Sequence, residues 1–360
     1  MSNFRPVSVH IDTAALQHNI KVTRDSAPNS AIMAVIKADG YGHSMEAVAT
    51  VIDDFAEESA VNSLDDVLRL RNNGFDKTLT VLSASLDSQS LEQFSRLNTR
   101  VTIYDLTQLS IIEQVASDQK LSIWLKVDTG MGRLGILPDD FDVVMHRLSK
   151  VEGLADISLM THLANADQAD HPANQQQIKL FNELVGKYNF KQTSILNSAG
   201  IVSFSDAAKD ITRPGIMLYG ISPKLGVSAE QLNLKPVMTF KSELISVKRL
   251  TAGSSIGYGG TYVLDQDSRI GIIACGYGDG YPRHARHGTP VLVNGILVPL
   301  IGRVSMDMIC VDLGDIAAKV GDSVTLWGKG NPIEVIAEYA DTISYELCCG
   351  ILPRVERIVE

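Results

Sequence analysis

Cysteine is scarce in this chain: 360 residues contain only Cys275, Cys310, Cys348 and Cys349. None belongs to a C-x-x-C pair and no second Cys/His pair accompanies them. A disulfide framework is excluded, and no metal is expected. Basic charge is short as well, with 32 Lys and Arg against 42 Asp and Glu and a net charge of −10. No basic run occurs, so nucleic acid is not an expected partner. No stretch reaches the roughly 18 apolar residues of a membrane span, and MSNFRPVSVHIDTAALQHN has no apolar leader core. The expectation is a reduced, cytoplasmic protein with no membrane partner. G-x-G-x-x-G is missing after the first strand-like run, which weakens a dinucleotide fold. Repeats and low-complexity linkers are missing too.

What is present is alternation. Strand-like runs occur at 32–37, 56–62, 78–83, 100–105, 121–127, 156–163, 193–197 and 210–215. Helical patterns separate them, at 64–74, 91–97, 105–116, 139–150 and 174–188. Strands alternating with helices mean a parallel sheet, and eight such units in about 200 residues fit a (β/α)8 TIM-like barrel. The runs at 56–62 and 210–215 are weak on pattern alone. After residue 230 helical periodicity nearly vanishes, and β-rich runs separated by Gly, Asp and Asn predict a C-terminal all-β domain. The predicted organisation is a barrel over 12–230 and a β domain over 231–360. Residues 1–11, with the strand-like VSVHID at 7–12, are expected to pair with that second domain.

Polar residues fall at the wrong places for a plain scaffold. Lys37 ends the first run, Lys126 the fifth and His162 the sixth; Asn197 and Ser198 follow the seventh, and Arg213 ends the eighth. Each has an ordinary reading: a snorkelling lysine, an ion pair of Lys126 with Asp128, a core histidine, a helix N-cap, a structural arginine. Together they mark the C-terminal face of a barrel, where barrel enzymes keep their sites. Ser198-Ala199-Gly200 opens a helix after the seventh strand, and Gly215-Ile216 follows the eighth. Loops there commonly bind phosphate. A phosphate opposite a lysine suggests pyridoxal phosphate, whose aldehyde forms a Schiff base with lysine.

The motifs VIKADGYGH (35–43), LKVDTGMGRLG (125–135), THLANAD (161–167), LNSAG (196–200), RPGIMLYG (213–220), SIGYGG (255–260), GYGDGYPR (276–283), GRVSMDM (302–308) and TISYE (342–346) occur in order. With them the chain resembles the alanine racemases over about residues 6 to 355. That resemblance implies a pyridoxal-phosphate isomerase with a barrel and a β domain. It would interconvert L- and D-alanine through a Schiff base of the substrate and supply D-alanine for peptidoglycan. It implies Lys37 as cofactor carrier and one catalytic base, and Tyr258, from the partner subunit of a homodimer, as the other. Tyr41, Ser198, Gly215, Ile216 and Tyr345 would hold the cofactor at its phosphate end, with Asn197 also binding the cofactor, His162 near the ring, Arg213 at the pyridine nitrogen and Arg133 at the phenolic oxygen. Arg133 and the Met306 N–H would bind the substrate carboxylate. Lys126 is the lysine marked for N-carboxylation. The segment 276–283, with Asp167 and Arg303, falls near the substrate access route, although Asp279 and Arg283 also read as a surface ion pair. Ser44 and Ser305 depart from the common glycine and cysteine without removing a catalytic group.

Two rival readings stay open at this level. One is a racemase for serine or lysine, or a decarboxylase; Arg213, where decarboxylases of this plan use a carboxylate, opposes the latter. The other is a non-catalytic cofactor-binding protein, which would need neither Tyr258 nor Met306.

Overall fold

The computed structural model describes residues 5–114 and 121–360. Strand β1 (Ser8–Ile11) comes first, then a helix over Thr13–Ser26, started by the Asp12 carboxylate accepting the Ala15 N–H. Eight parallel strands follow, interleaved with helices: β2 (Ala31–Val35), β3 (Glu58–Val61), β4 (Leu79–Val81), β5 (Thr99–Ile103), β6 (Leu121–Lys126), β7 (Leu154–Met160), β8 (Thr193–Ser194) and β9 (Ile211–Thr212). Helices cover the outside, so these strands are buried on both faces and read as near-continuous apolar runs. The order is β8-β7-β6-β5-β4-β3-β2-β9. A parallel bridge between Asn197 and Arg213 joins its two ends, with the Arg213 N–H donating to the Leu196 carbonyl at 2.9 Å. The ring is the expected (β/α)8 barrel.

Helices begin where the sequence offers a side-chain acceptor: Ser63, Asp87, Asp105 and Asn197 cap helices at 64–72, 88–96, 106–112 and 198–203. The run read at 64–74 stops at Asn72, and Gly74 takes φ +82° just beyond. The run read at 105–116 forms Leu106–Ile112, and its last two residues lie outside the described ones. Those read at 139–150 and 174–188 form Phe141–Leu148 and Ala173–Lys187.

The C-terminal part contains β10 (Met238–Leu250), β11 (Ser255–Ile256), β12 (Tyr262–Val263), β13 (Ser268–Ile273), β14 (Pro290–Val293), β15 (Ile296–Ile301), β16 (Ile309–Asp312), β17 (Ser323–Trp327) and β18 (Glu356–Val359). Its main sheet runs β13-β16-β15-β14-β17-β10-β1-β18. Two register shifts in β10, at Phe240/Lys241 and Leu244/Ser246, bend it so that one strand pairs with both β17 and β13. β1 lies between β10 and β18, with Val9 opposite Phe240 on one side and Arg357 on the other. The all-β expectation needs correction to mostly β, because helices form over Ile333–Tyr339 and Ser344–Cys349. At seven and six residues they are too short to impose a readable 3.6-residue period.

One apolar core runs from the barrel into this domain, where Trp327 packs on Phe240 and Tyr281 with ring centroids 4.7 and 5.9 Å away. At the junction, the buried Asn19 amide donates to the Leu218 and Lys235 carbonyls at 3.0 and 2.8 Å. Among the described residues no helix is long and apolar enough to cross a membrane.

Candidate active site

Lys37 lies two residues past β2 rather than within it. It opens a turn in which Ala38, Asp39, Gly40, Tyr41 and Gly42 all have positive φ, from +53° to +79°. Such a left-handed turn costs a non-glycine residue about 1–2 kcal/mol each. Specific contacts hold it. The Gly40 N–H donates to the Ile36 carbonyl at 2.9 Å and the Gly42 N–H to Ala38 at 3.0 Å. Asp39 accepts from the Met45 N–H at 3.2 Å and from Arg69 at 3.0 Å. The Arg357 Nε donates to the Gly42 carbonyl at 3.0 Å, tying the turn to the end of the β domain.

Around Lys37 the barrel mouth gathers cations. Burial lowers its pKa first and the Arg133 charge lowers it further, which makes the neutral amine accessible. Lys126, the last residue of β6, is pulled down to about 8 by burial and then by Arg213, Arg133 and Lys37. His162, two residues past β7, is pushed well below its ordinary value by burial and by the same four cations, so it is neutral. Its Nε2 accepts from the Asn197 amide at 3.2 Å, and the Asn197 Oδ1 takes the Gly200 N–H at 2.9 Å. Asn197 thus starts a helix and orients the imidazole at once. Arg213 is buried, and its guanidinium donates to the Ser194 hydroxyl and the Thr161 carbonyl.

A second group faces this one. A Cβ added to Gly215 would stand 2.6 Å from the Tyr41 hydroxyl. The Ser198 hydroxyl accepts the Gly215 N–H at 2.8 Å and the Met217 N–H at 3.4 Å, with Ile216 between them. Tyr345 lies 6.0 Å from the Tyr41 ring, and Tyr219 backs Tyr41 at 4.9 Å. Burial raises the Tyr41 phenol, and it lifts Tyr345 to about 12 with Asp167 adding to it, so both stay protonated donors. Tyr41 makes no side-chain hydrogen bond among the described residues.

This donor set fits pyridoxal phosphate. Hydroxyls of Tyr41 and Ser198 and the Gly215–Ile216 peptides meet where helices 198–203 and 216–219 begin. Near them stands a lysine with a lowered pKa, and the Asp128 carboxylate partly offsets the Lys126 charge. An anionic aldehyde supplies what these groups lack. No group of three or more His, Cys, Asp and Glu suited to a metal occurs among the described residues.

Tyr258 and Met306 are not part of this cluster. Tyr258 sits in a Gly257–Gly260 turn of the β domain and is 70% exposed; Met306 is 53% exposed. The Met306 carbonyl accepts the Gly278 N–H at 2.8 Å, while its own N–H makes no hydrogen bond among the described residues. Asp279 does not pair with Arg283. It is fully buried between Arg5 at 2.7 Å and Arg354 at 2.8 Å, and Arg354 also reaches Asp307, next to Met306, at 2.8 Å.

Sequence reasoning assigned no role at the site to four of its neighbours. The Cys349 thiol lies near enough to Lys37 for each to perturb the other's ionisation. Ser194 and Thr161 hold Arg213; Thr161 opens the THLANAD stretch, whereas Ser194 lies outside every motif. Asp128, which shapes the loop bearing Arg133, carries a signal: an Asp ahead of a glycine-rich stretch.

Residues 11–223 match the family model described as alanine racemase, N-terminal domain, and residues 237–359 match that of the C-terminal domain. The chain is 42% identical to an alanine racemase of Nitrosospira multiformis, over 98% of this chain and 99% of the relative. It is 41% identical to the biosynthetic alanine racemase of Escherichia coli K12, over 97% of each chain. Its fold superposes on a crystal structure of biosynthetic alanine racemase from Pseudomonas aeruginosa with TM-score 0.96 at 37% identity, covering 99% and 100% of the two chains. Barrel, mostly-β domain, cation-lined mouth and these matches over nearly the whole length agree: the chain belongs to the alanine racemase family of isomerases.

Proposed function

We propose that this protein interconverts L-alanine and D-alanine with pyridoxal phosphate on Lys37, as a homodimer whose sites are shared between subunits. The observation that carries the reading is the convergence of Lys37, Lys126, Arg133, His162 and Arg213 at the barrel mouth, opposite the Tyr41–Ser198–Gly215 cradle. When bound, the cofactor supplies an aldehyde that captures the amino group and an electron sink that acidifies the substrate Cα–H.

The chain's own groups do the rest. Racemisation removes a proton from one face of Cα and returns one to the other, which calls for a base on each face. Lys37 serves one face, and burial with the Arg133 charge supplies its neutral form. Tyr258, exposed on the β domain, serves the other face in the partner's site. Arg213 keeps its proton and would donate at the pyridine nitrogen. His162 would lie near the ring, Tyr345 would assist Tyr41 in holding the phosphate, and Arg133 would hold the phenolic oxygen side. Arg133 and the free Met306 N–H bind the substrate carboxylate. Lys126, with neutral amine available near pH 8, would take up carbon dioxide, its nitrogen bonding the carbon and releasing one proton to solvent, and as a carbamate would orient Arg133. The biosynthetic names of two relatives support a role in supplying D-alanine for peptidoglycan.

The test is purified protein with added cofactor. It should absorb near ~420 nm and racemise L-alanine, and Lys37→Ala should abolish both. Yellow protein that leaves the optical rotation of L-alanine unchanged would overturn the reading.

A further inference from the structure

The loop between β6 and residue 136 carries Arg133 and is built around one carboxylate. Asp128 Oδ1 accepts the N–H groups of Gly130, Met131 and Gly132 at 2.9, 2.8 and 3.2 Å, and Oδ2 accepts that of Arg133 at 3.0 Å. Four consecutive peptide N–H groups turned onto an anion form a nest, here filled by the chain's own side chain. The neck is closed by the Asp128 N–H on the Ile136 carbonyl at 3.0 Å and the Ile136 N–H on Lys126 at 2.8 Å. A Cβ on Gly135 would come within 2.4 Å of the Asp128 nitrogen, so the two sides of the neck meet flush. Packing contributes little at the tip: a Cβ on Gly132 would meet nothing within 4 Å, and Arg133 is exposed. Burial raises the Asp128 carboxyl, but its four N–H bonds prevail and hold it below its ordinary value, so it is an anion at neutral pH.

We propose that Asp128 is a positioning residue for substrate binding: by collecting these four N–H groups it fixes the backbone of Arg133 and aims the guanidinium at the substrate carboxylate. The inference rests on the reading of Arg133 as a substrate contact. Asp128 itself touches no substrate. Without its charge the loop keeps its closed neck but loses the definition of its tip.

The experiment compares the holoenzyme with Asp128→Asn, Gly132→Ala and Arg133→Lys. In Asp128→Asn the amide Oδ1 still accepts the first three N–H groups, while the Nδ2 donor opposes the Arg133 N–H. Gly132→Ala strains the same loop by another route, because Gly132 has φ +67°. Both should raise KM for L-alanine about tenfold, with kcat within about threefold of wild type, as expected when a charged hydrogen bond is lost from a binding loop. Limited trypsin digestion gives a readout apart from activity: cleavage after Arg133 should be about tenfold faster in both, at an unfolding midpoint within a few degrees of wild type. If Asp128→Asn does not fold, Gly132→Ala carries the comparison. Unchanged KM in Asp128→Asn beside a raised KM in Arg133→Lys overturns the positioning role alone. Unchanged KM in Arg133→Lys overturns the reading of Arg133 and the proposal with it.

Discussion

Gly215 is the floor on which Tyr41 stands: a Cβ there would lie 2.6 Å from the phenol oxygen and 3.2 Å from the ring carbon bearing it. Tyr219 closes the other side of the ring at 4.9 Å, so the phenol has no lateral freedom. Gly215→Ala forces the ring to shift, and overpacking of this kind costs about 1–3 kcal/mol. Its expected effect is a rise of about tenfold or more in the Kd for pyridoxal phosphate. Titration of apoprotein, followed by absorbance, measures it; an unchanged Kd would show that Tyr41 does not contact the cofactor.

Gly42 tests how firmly the carrier turn is docked. It has φ +79°, and a Cβ would fall 2.1 Å from the Cys348 carbonyl oxygen. Gly74 has nearly the same φ, +82°, with nothing within 4 Å of its Cβ. Gly74→Ala should cost about 1 kcal/mol of backbone strain, and Gly42→Ala more than about 3 kcal/mol, since the helix over 344–349 must move away. Urea unfolding midpoints of the two variants decide it, and equal shifts would refute the docking argument.

Lys126 predicts a pH dependence with a definite sign. Its pKa falls from 10.5 to about 8 on folding. Between those values the unfolded chain holds a proton that the folded chain lacks, so this residue's contribution makes stability rise with pH across that window. Below pH 8 the buried cation opposes folding in full. Lys126→Met should therefore stabilise apoprotein by about 1–3 kcal/mol at pH 7, and the gain should fade as pH climbs through 8 towards 10.5. Denaturant titrations in carbon-dioxide-free buffer at pH 7 and 10 provide the check; a gain that grows with pH contradicts it.

Shared sites can be tested by mixing. Tyr258→Phe should keep the colour and slow proton removal from one alanine enantiomer more than from the other, seen as unequal solvent-deuterium incorporation. Lys37→Ala protein, which is inactive, and Tyr258→Phe protein, which is slowed, should after joint refolding reach about one quarter of wild-type racemisation above the Tyr258→Phe background, because half the dimers are mixed and each carries one intact site. No recovery would mean that Tyr258 works within its own chain.

Much of this architecture was legible because a parallel barrel writes each strand as a short apolar run and each helix as a period of 3.6 residues. Lys126, His162 and Arg213 stood out as polar residues where such runs end. The turn after β2 was half legible. Glycine favours positive φ, as at Gly40 and Gly42, but Ala38 and Asp39 share it, and what stabilises them there comes from Arg69 and Arg357. Asp279 shows the same limit. Nearness in sequence favoured Arg283, whereas its partners Arg5 and Arg354 come from elsewhere in the chain. Local pattern reports what a residue's own element needs. It is silent about which distant segment folding brings alongside.

The place of β1 has a consequence for how the molecule is made. Its Val9 and Ile11, and Val7 just before it, are buried in the finished protein, yet the residues opposite Val9 are Phe240 and Arg357. On the ribosome the barrel can close once residues up to 213 have emerged, because its last strand, β9, pairs with its first, β2. Throughout that time β1 remains an open, apolar edge, and it gains its second neighbour only when residues 356–359 have been synthesised. Residues 7–11 thus keep an unpaired apolar edge until the last residues of the chain arrive.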